Sequence, residues 1–296
     1  MLPLIAAFLL ILTACDTRDP ITGPDVFPPP GTTAPLAIRY SGGMPYGLFV
    51  LPTAELGSDF NATMVNARVW LRRGSVLTEL AAAKARGGKV IMNLTGGRLK
   101  YLDEDGHFSL TKWKHAADAF RTIAFTSYIT DGTIIGHYLI PNDATNWGGV
   151  PVPPATVEEM ARYSKQIWPS MATVARTEPT YLAQWSGSFR YLDAAWAQYA
   201  ARKGDPVDFI KRNVTDAQRK GLALVTGLNI LMGDFREPMS ASMIKSAGSA
   251  LLSSSYPCAF ISWQYDADYL ATPGVRDALR YLRGKALQRT YKSCRS

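Results

Sequence analysis

Cysteine and histidine are both scarce in this sequence, three of each among 296 residues. Three cysteines, Cys15, Cys258 and Cys294, are too few for a disulfide framework and lack the paired spacing of a zinc site. His107 and His115 lie in or beside one helical stretch and His137 in a separate apolar run, so a three-histidine metal centre is not expected and neither is any cofactor. No Walker loop, dinucleotide fingerprint or Gly-x-Ser-x-Gly elbow occurs, which sets aside nucleotide and serine-hydrolase chemistry. Thr95-Gly96-Gly97-Arg98 offers a lone Gly-Gly turn as a weak backbone anion site.

Charge is also unevenly supplied. The formal net charge is +8, but residues 271 to 296 hold seven Lys/Arg against one Asp, leaving only +2 for the rest. A nearly neutral body argues against a nucleic-acid groove, and no nucleic-acid partner is expected. What is abundant is apolar material, 47% of residues, enough for a sizeable core and too much for a disordered chain.

Residues 2 to 14 (LPLIAAFLLILTA) are apolar and uncharged, yet too short to span a bilayer as a helix. They read as the core of an export signal. The ending Leu12-Thr13-Ala14-Cys15 resembles the lipobox of bacterial lipoproteins, although no Lys or Arg precedes the apolar run. That resemblance implies lipidation of Cys15 and a membrane-anchored protein of the bacterial envelope, facing the periplasm or the outside. Residues 16 to 46 carry seven prolines and read as a semi-extended linker, leaving residues 47 to 296 as the folded domain.

In that domain short apolar runs alternate with amphipathic stretches. Eight runs are expected as strands: 47–51, 66–71, 89–94, 133–140, 171–176, 191–198, 222–229 and 258–265. Helices are expected at 75–86, 110–123, 155–167, 206–220, 243–253 and 273–287, with Thr156 and Glu159 as a capping box and Asp205 ahead of Pro206. No clear helix separates the first run from the second or the fifth from the sixth. Eight βα-like units in about 250 residues match the rhythm of a single α/β domain, the (β/α)8 TIM barrel. The alternative is an open doubly wound sheet, but the first run leads into Pro52-Thr53-Ala54-Glu55 rather than a glycine-rich phosphate turn.

Barrel chemistry gathers past the C-terminal ends of the strands. The residues expected there are Asn93 and Arg98 at the third strand, His137, Asn142, Asp143 and Trp147 at the fourth, and Arg176 and Glu178 at the fifth. Asp193, Trp196, Gln198 and Tyr199 belong to the sixth, Asn229, Asp234 and Glu237 to the seventh, and Trp263, Tyr265 and Asp266 to the eighth. Acids and amides interleaved with Trp and Tyr suit a carbohydrate, whose C–H faces stack on rings while its hydroxyls bond to polar groups.

The barrel rhythm, the GGKVIMNL strand, the Asn142-Asp143 pair closing the fourth strand and Trp263 on the eighth together resemble the clan-A glycoside hydrolase superfamily. The resemblance implies an Asn-Glu pair at the fourth strand, its Glu the general acid, and a nucleophilic Glu ending the seventh. Here Asp143 stands where the acid would be, and the seventh run has no carboxylate before Asp234. Glycosidic hydrolysis needs two carboxyl groups about 5 to 9.5 Å apart. Asp143 is the candidate acid, with Glu178, Asp234 and Glu237 competing for the second role. The expected activity is envelope-tethered cleavage of a glycan, the alternative a non-catalytic barrel that binds a glycan or an envelope protein.

Each residue also has a plainer reading. Asn142-Asp143 after Pro141 suits a turn, and Glu178 before Pro179 suits an exposed loop. Asp193 inside an apolar run requires a partner such as Arg176 or a polar interior. Trp196, Trp263 and Tyr265 suit core packing, and His137 a hydrogen-bonded core histidine. The basic C-terminal helix reads as the last barrel helix or as a face for an anionic surface. Paired in an oxidising compartment, Cys258 and Cys294 would pin the tail.

Overall fold

A computed structural model describes residues 43–57, 59–140 and 150–295. Eight parallel strands close on themselves in chain order, β1 (Tyr46–Phe49), β2 (Ala62–Asn66), β3 (Lys89–Asn93), β4 (Ile134–Tyr138), β5 (Thr173–Ala175), β6 (Ala194–Tyr199), β7 (Ala223–Leu228) and β8 (Ala259–Ser262). The ring is sealed where Tyr46, Gly47 and Leu48 pair with Phe260, Ile261 and Ser262. This is a (β/α)8 barrel. The open sheet is excluded, because a closed ring leaves no unpaired strand edge.

The helices are α1 (Ala67–Arg72), α2 (Val76–Ala85), α3 (Leu110–Asp118), α4 (Thr126–Thr130), α5 (Pro154–Ile167), α6 (Pro179–Leu182), α7 (Pro206–Arg219), α8 (Ala241–Ser253), α9 (Ala267–Ala271) and α10 (Val275–Leu287). One expected strand is a helix. Residues 66–71 form α1 with its cap, and the true second strand is the preceding Ala-Thr-Met-Val-Asn. The switch occurs at Asn66, whose side chain accepts from the Arg68 amide and caps the new helix. Ala67 and Trp70, one turn apart, then share the buried face. Between β1 and β2 there is a single 3-10 turn, Thr53–Glu55, and between β5 and β6 only the short α6, matching the two links that lacked a clear helix.

The capping box at Thr156 is also corrected. α5 begins two residues earlier at Pro154, and Glu159 reaches outward to Lys114 and Arg162 at 2.7 and 2.5 Å. Asp205 does cap α7, its Oδ1 accepting from the Val207 and Asp208 amides. Close strand contact constrains β7, where a β-carbon on Gly227 would come 1.9 Å from Ile261 O.

The barrel interior is filled, with Met64, Ile91, Val174, Val225 and Ile261 stacked below an aromatic layer. At the opposite end Cys258 and Cys294 form a disulfide, Cα–Cα 5.3 Å, that draws the tail against the base of β8. Most cations of the C-terminal segment are spent inside the fold. Arg276 and Arg280 bond Asp59 on the β1–β2 loop, Arg283 is 2% exposed, and Arg289 and Lys292 donate to Leu252 O and Ser255 O. No described helix is long and apolar enough to cross a membrane.

Candidate functional site at the barrel mouth

Alternation along each strand decides which side chains look into the barrel, and at the C-terminal ends of β1 and β4 and midway along β6 it selects Phe49, Tyr138 and Trp196. All three are at most 1% exposed. Phe49 is their hub, its ring centroid 4.6 Å from Trp196 and 5.9 Å from Tyr138. Trp263, just past β8, adds a fourth ring 5.1 Å from Phe49 and is only half-buried, so it forms the upper surface of the plug. The Trp263–Gln264 peptide is cis. Immediately after Phe49, Val50 holds φ at 48°, a left-handed conformation that a β-branched residue rarely adopts and that clusters at functional sites.

Arg176 leaves β5 and lays its guanidinium over this surface, 4.9 Å from the Trp263 centroid and 5.3 Å from that of Phe49. A cation held on two ring faces keeps its N–H donors directed sideways. Two residues on, Glu178 forms an ion pair with Lys203 at 2.5 Å, and the same ammonium donates to Gln198 O at 2.6 Å. The Gln198 side chain follows Trp196 on the inward face of β6. Its Oε1 and the Trp196 Nε1 are buried and find no hydrogen-bond partner among the described residues. Buried polar atoms in that state are costly unless something else bonds them, and here both lie in the layer beneath the mouth.

Asn229 continues the inward series of β7, bridges in parallel to Trp263 just past the neighbouring β8 and accepts from the Met232 amide. Beyond it Asp234 and Glu237 bracket a tight hairpin through two backbone bonds of 3.0 and 2.8 Å. Its tip residues, Phe235 and Arg236, both have positive φ, which presents Phe235 to solvent at 71% exposure. Phe235, Met232, Arg202 and Arg236 line a rim cavity of about 390 Å³. Asp234 and Glu237 therefore stand on the rim.

Other expected residues lie elsewhere. His137 points out of the barrel wall. Its Nδ1 meets the Ser164 hydroxyl at 2.7 Å, Trp113 and Trp168 flank the ring, and burial pushes its pKa down to about 3. Asp193 precedes β6, at the end opposite the mouth, where its Oδ2 takes Lys165 at 2.5 Å and the Thr173 amide at 2.7 Å; the partner is Lys165, not Arg176. Tyr199 also faces outward, bonding Gly204 O and packing on Phe209. Asn93 is fully buried and spends its Oδ1 on the Thr95 and Gly96 amides, which takes those N–H groups away from the Gly-Gly turn as an anion site. Asp266 caps α9 through the Tyr269 amide, and Tyr265 packs beside the core with its amide on Phe49 O. Asn142, Asp143, Trp147 and Cys15 lie outside the described residues, and so does the side chain of Arg98.

Three parts of the mouth escaped the sequence reading. Phe49 and Tyr138 look like ordinary strand hydrophobics, and Lys203 sits in an unremarkable Ala-Arg-Lys-Gly loop. The alternation within each strand was the only available signal for the first two. On the surface, Asp103, Asp105 and His107 bring their ligand atoms within 4.8 Å of one another, all three exposed, with Asp103 Oδ1 already accepting two backbone amides.

No protein-family model matches the chain, and no curated protein matches it either. Solved structures do. A GH18 chitinase from Pseudoalteromonas aurantia superposes with a TM-score of 0.52 at 11% identity, over 81% of this chain and 99% of its own. An endo-β-1,4-mannanase from Cellulomonas fimi gives 0.56 at 12%, over 84% and 74%, and the catalytic domain of the major endoglucanase of Xanthomonas campestris pv. campestris gives 0.51 at 14%, over 83% and 96%. At such identities the likeness is one of fold, the closed (β/α)8 barrel.

Proposed function

We propose that this barrel, built like those of glycoside hydrolases, grips a glycan at its mouth. The observation that carries the reading is the Phe49–Trp263–Arg176 stack, a half-buried indole beside a pinned guanidinium, above two buried polar atoms without partners. A pyranose ring placed on Trp263 would bring its apolar face to the indole and its hydroxyls to Arg176 and Asn229. Neutral, hydroxyl-rich ligands match this inventory of ring faces, amide groups and a single guanidinium.

Glu178 favours a second reading, cleavage of the bound glycan. It is the one candidate carboxylate among the described residues that stands directly after an inward-opening strand. Its ion pair with Lys203 fixes the carboxylate in place, and the reading makes it the base or nucleophile with Asp143 as the acid. Asn229 occupies the end of β7 where the resemblance would place a nucleophile, so the two-carboxylate arrangement rests on β4 and β5 instead. Chitin-, mannan- and glucan-derived oligosaccharides form the natural test panel. Under the catalytic reading, Glu178→Gln and Asp143→Asn each lower turnover at least a hundredfold, about 2.7 kcal/mol, while binding persists. Binding by the native protein without turnover leaves the binding role and removes the catalytic one.

The same proposal includes the anchor. Lipidation at Cys15 would hold the barrel on the envelope membrane through the proline-rich linker, and the Cys258–Cys294 bond suits an oxidising compartment.

A further inference from the structure

A second concavity lies between the segments that follow β2 and β3. It measures about 530 Å³ and is lined by Arg68 of α1, Lys100 and Tyr101 of the turn after β3, and Thr111, Lys112 and His115 of α3, together with alanines. Three permanent cations and an imidazole share this space, and none of the residues lining it carries a carboxylate.

Two of the cations, Arg68 and Lys112, are positioned by carbonyls. Arg68 Nη1 donates to Ala116 O at 3.1 Å and Lys112 Nζ to Leu102 O at 2.7 Å. A carbonyl orients a cation without neutralising it. The acid of α3, Asp118, lends some field to His115 but is itself bonded to Arg121 and the Tyr163 hydroxyl. Like charges gathered in a concave, partly apolar wall focus a positive potential into it. The β3 turn closes one side, so tightly that a β-carbon on Gly96 would come 3.1 Å from Arg68 Cδ and 3.8 Å from Lys100 Nζ. Because Asn93 consumes the amides of that turn, the positive field here comes from side chains rather than from backbone N–H groups.

We infer that this cavity is an oxyanion site, taking a carboxylate or phosphate group carried on an acidic glycan or other soluble ligand. Arg68 supplies a planar fork with donors to spare beyond its bond to Ala116, Lys112 supplies a point charge at the entrance, and Lys100 lines the same wall. The cavity lining shares no residue with the Phe49–Trp263–Arg176 cluster, so the site stands whether or not a neutral sugar binds there.

Calorimetric titration of the full-length protein with inorganic phosphate, glucuronate and glucose tests it. Either anion, or both, is expected to bind with an affinity that weakens as salt rises, and glucose is expected to give no salt-dependent signal. The exposed pair Lys100→Glu/Lys112→Glu should lose at least tenfold in anion affinity, whereas Lys211→Glu on α7 should change nothing. Should thermal melting show the double variant unfolded, Lys112→Gln alone carries the comparison, with Lys112→Arg restoring binding. Failure of both anions to bind at about 10 mM, or equal binding by the charge-reversed protein, overturns the assignment.

Discussion

His137 is sealed between Trp113, Trp168 and the Ser164 hydroxyl, and its depressed pKa of about 3 makes it a stability group. In the unfolded chain the imidazole titrates near 6.5, so unfolding takes up a proton at any pH between about 3 and 6.5. Its contribution to stability is therefore complete above pH 6.5 and is lost as pH falls toward 3. Glu159 works in the same direction lower down, since Arg162 and Lys114 hold its carboxyl at about 2, and its stabilisation fades below the ordinary carboxylate range. Thermal melts from pH 7 to 4 should show a declining midpoint for the native protein and a flatter profile for His137→Phe. An unchanged slope would mean that the imidazole titrates alike in the folded and unfolded chains. The plainer reading of His137 was available from its position in an apolar run; what sequence could not supply was the direction it faces. Asp193 shows the same gap: an acid in an apolar run demanded a partner, but only the folded chain identifies Lys165 on α5.

At the scale of elements, most of the ring was legible, because βα alternation is a property of periodicity and periodicity survives in a single sequence. The failure at residues 66–71 is instructive. Val, Trp and Leu in Asn-Ala-Arg-Val-Trp-Leu suit a strand, yet the Asn66 cap and the burial of Ala67 with Trp70 turn the segment helical. The site was less legible than the frame. Trp263, Arg176 and Gln198 were found from strand-end position, whereas Lys203 and the Phe235 hairpin belong to loops whose geometry no repeat encodes. The C-terminal tail is a further element fixed from afar. Its disulfide closes a separation of 36 residues, for which loop-closure entropy gives about 3 to 4 kcal/mol. Cys294→Ser should lower unfolding free energy by roughly that amount in denaturant titrations, with the same loss on adding reductant to the native protein. A variant as stable as the native chain would show that the tail contributes nothing to holding β8 in the ring.

For the whole molecule, the two ends of the barrel divide the labour. The base is stapled by the tail, and the mouth concentrates aromatic, amide and cationic groups. The proposed anchor adds a third level, with the proline-rich stretch ahead of Gly43 as the proposed spacer, since Met44 and Tyr46 already belong to the barrel core. Expressed in a bacterium with its own lipoprotein pathway, the native chain should partition into the membrane fraction and carry acyl chains detectable by mass spectrometry of its N-terminal peptide. Cys15→Ser should release it to the soluble fraction. Equal membrane retention by both would remove Cys15 as the anchor.

The most direct test of a glycan-binding mouth is calorimetric titration of the oligosaccharide panel against the native protein, Trp263→Ala and, as a control at the opposite end of the barrel, Tyr191→Ala. The account predicts binding of at least one oligosaccharide, weakened tenfold or more, about 1.4 kcal/mol, by loss of Trp263 and unaffected by loss of Tyr191. Oligosaccharide affinity that survives intact in a folded Trp263→Ala protein would contradict it.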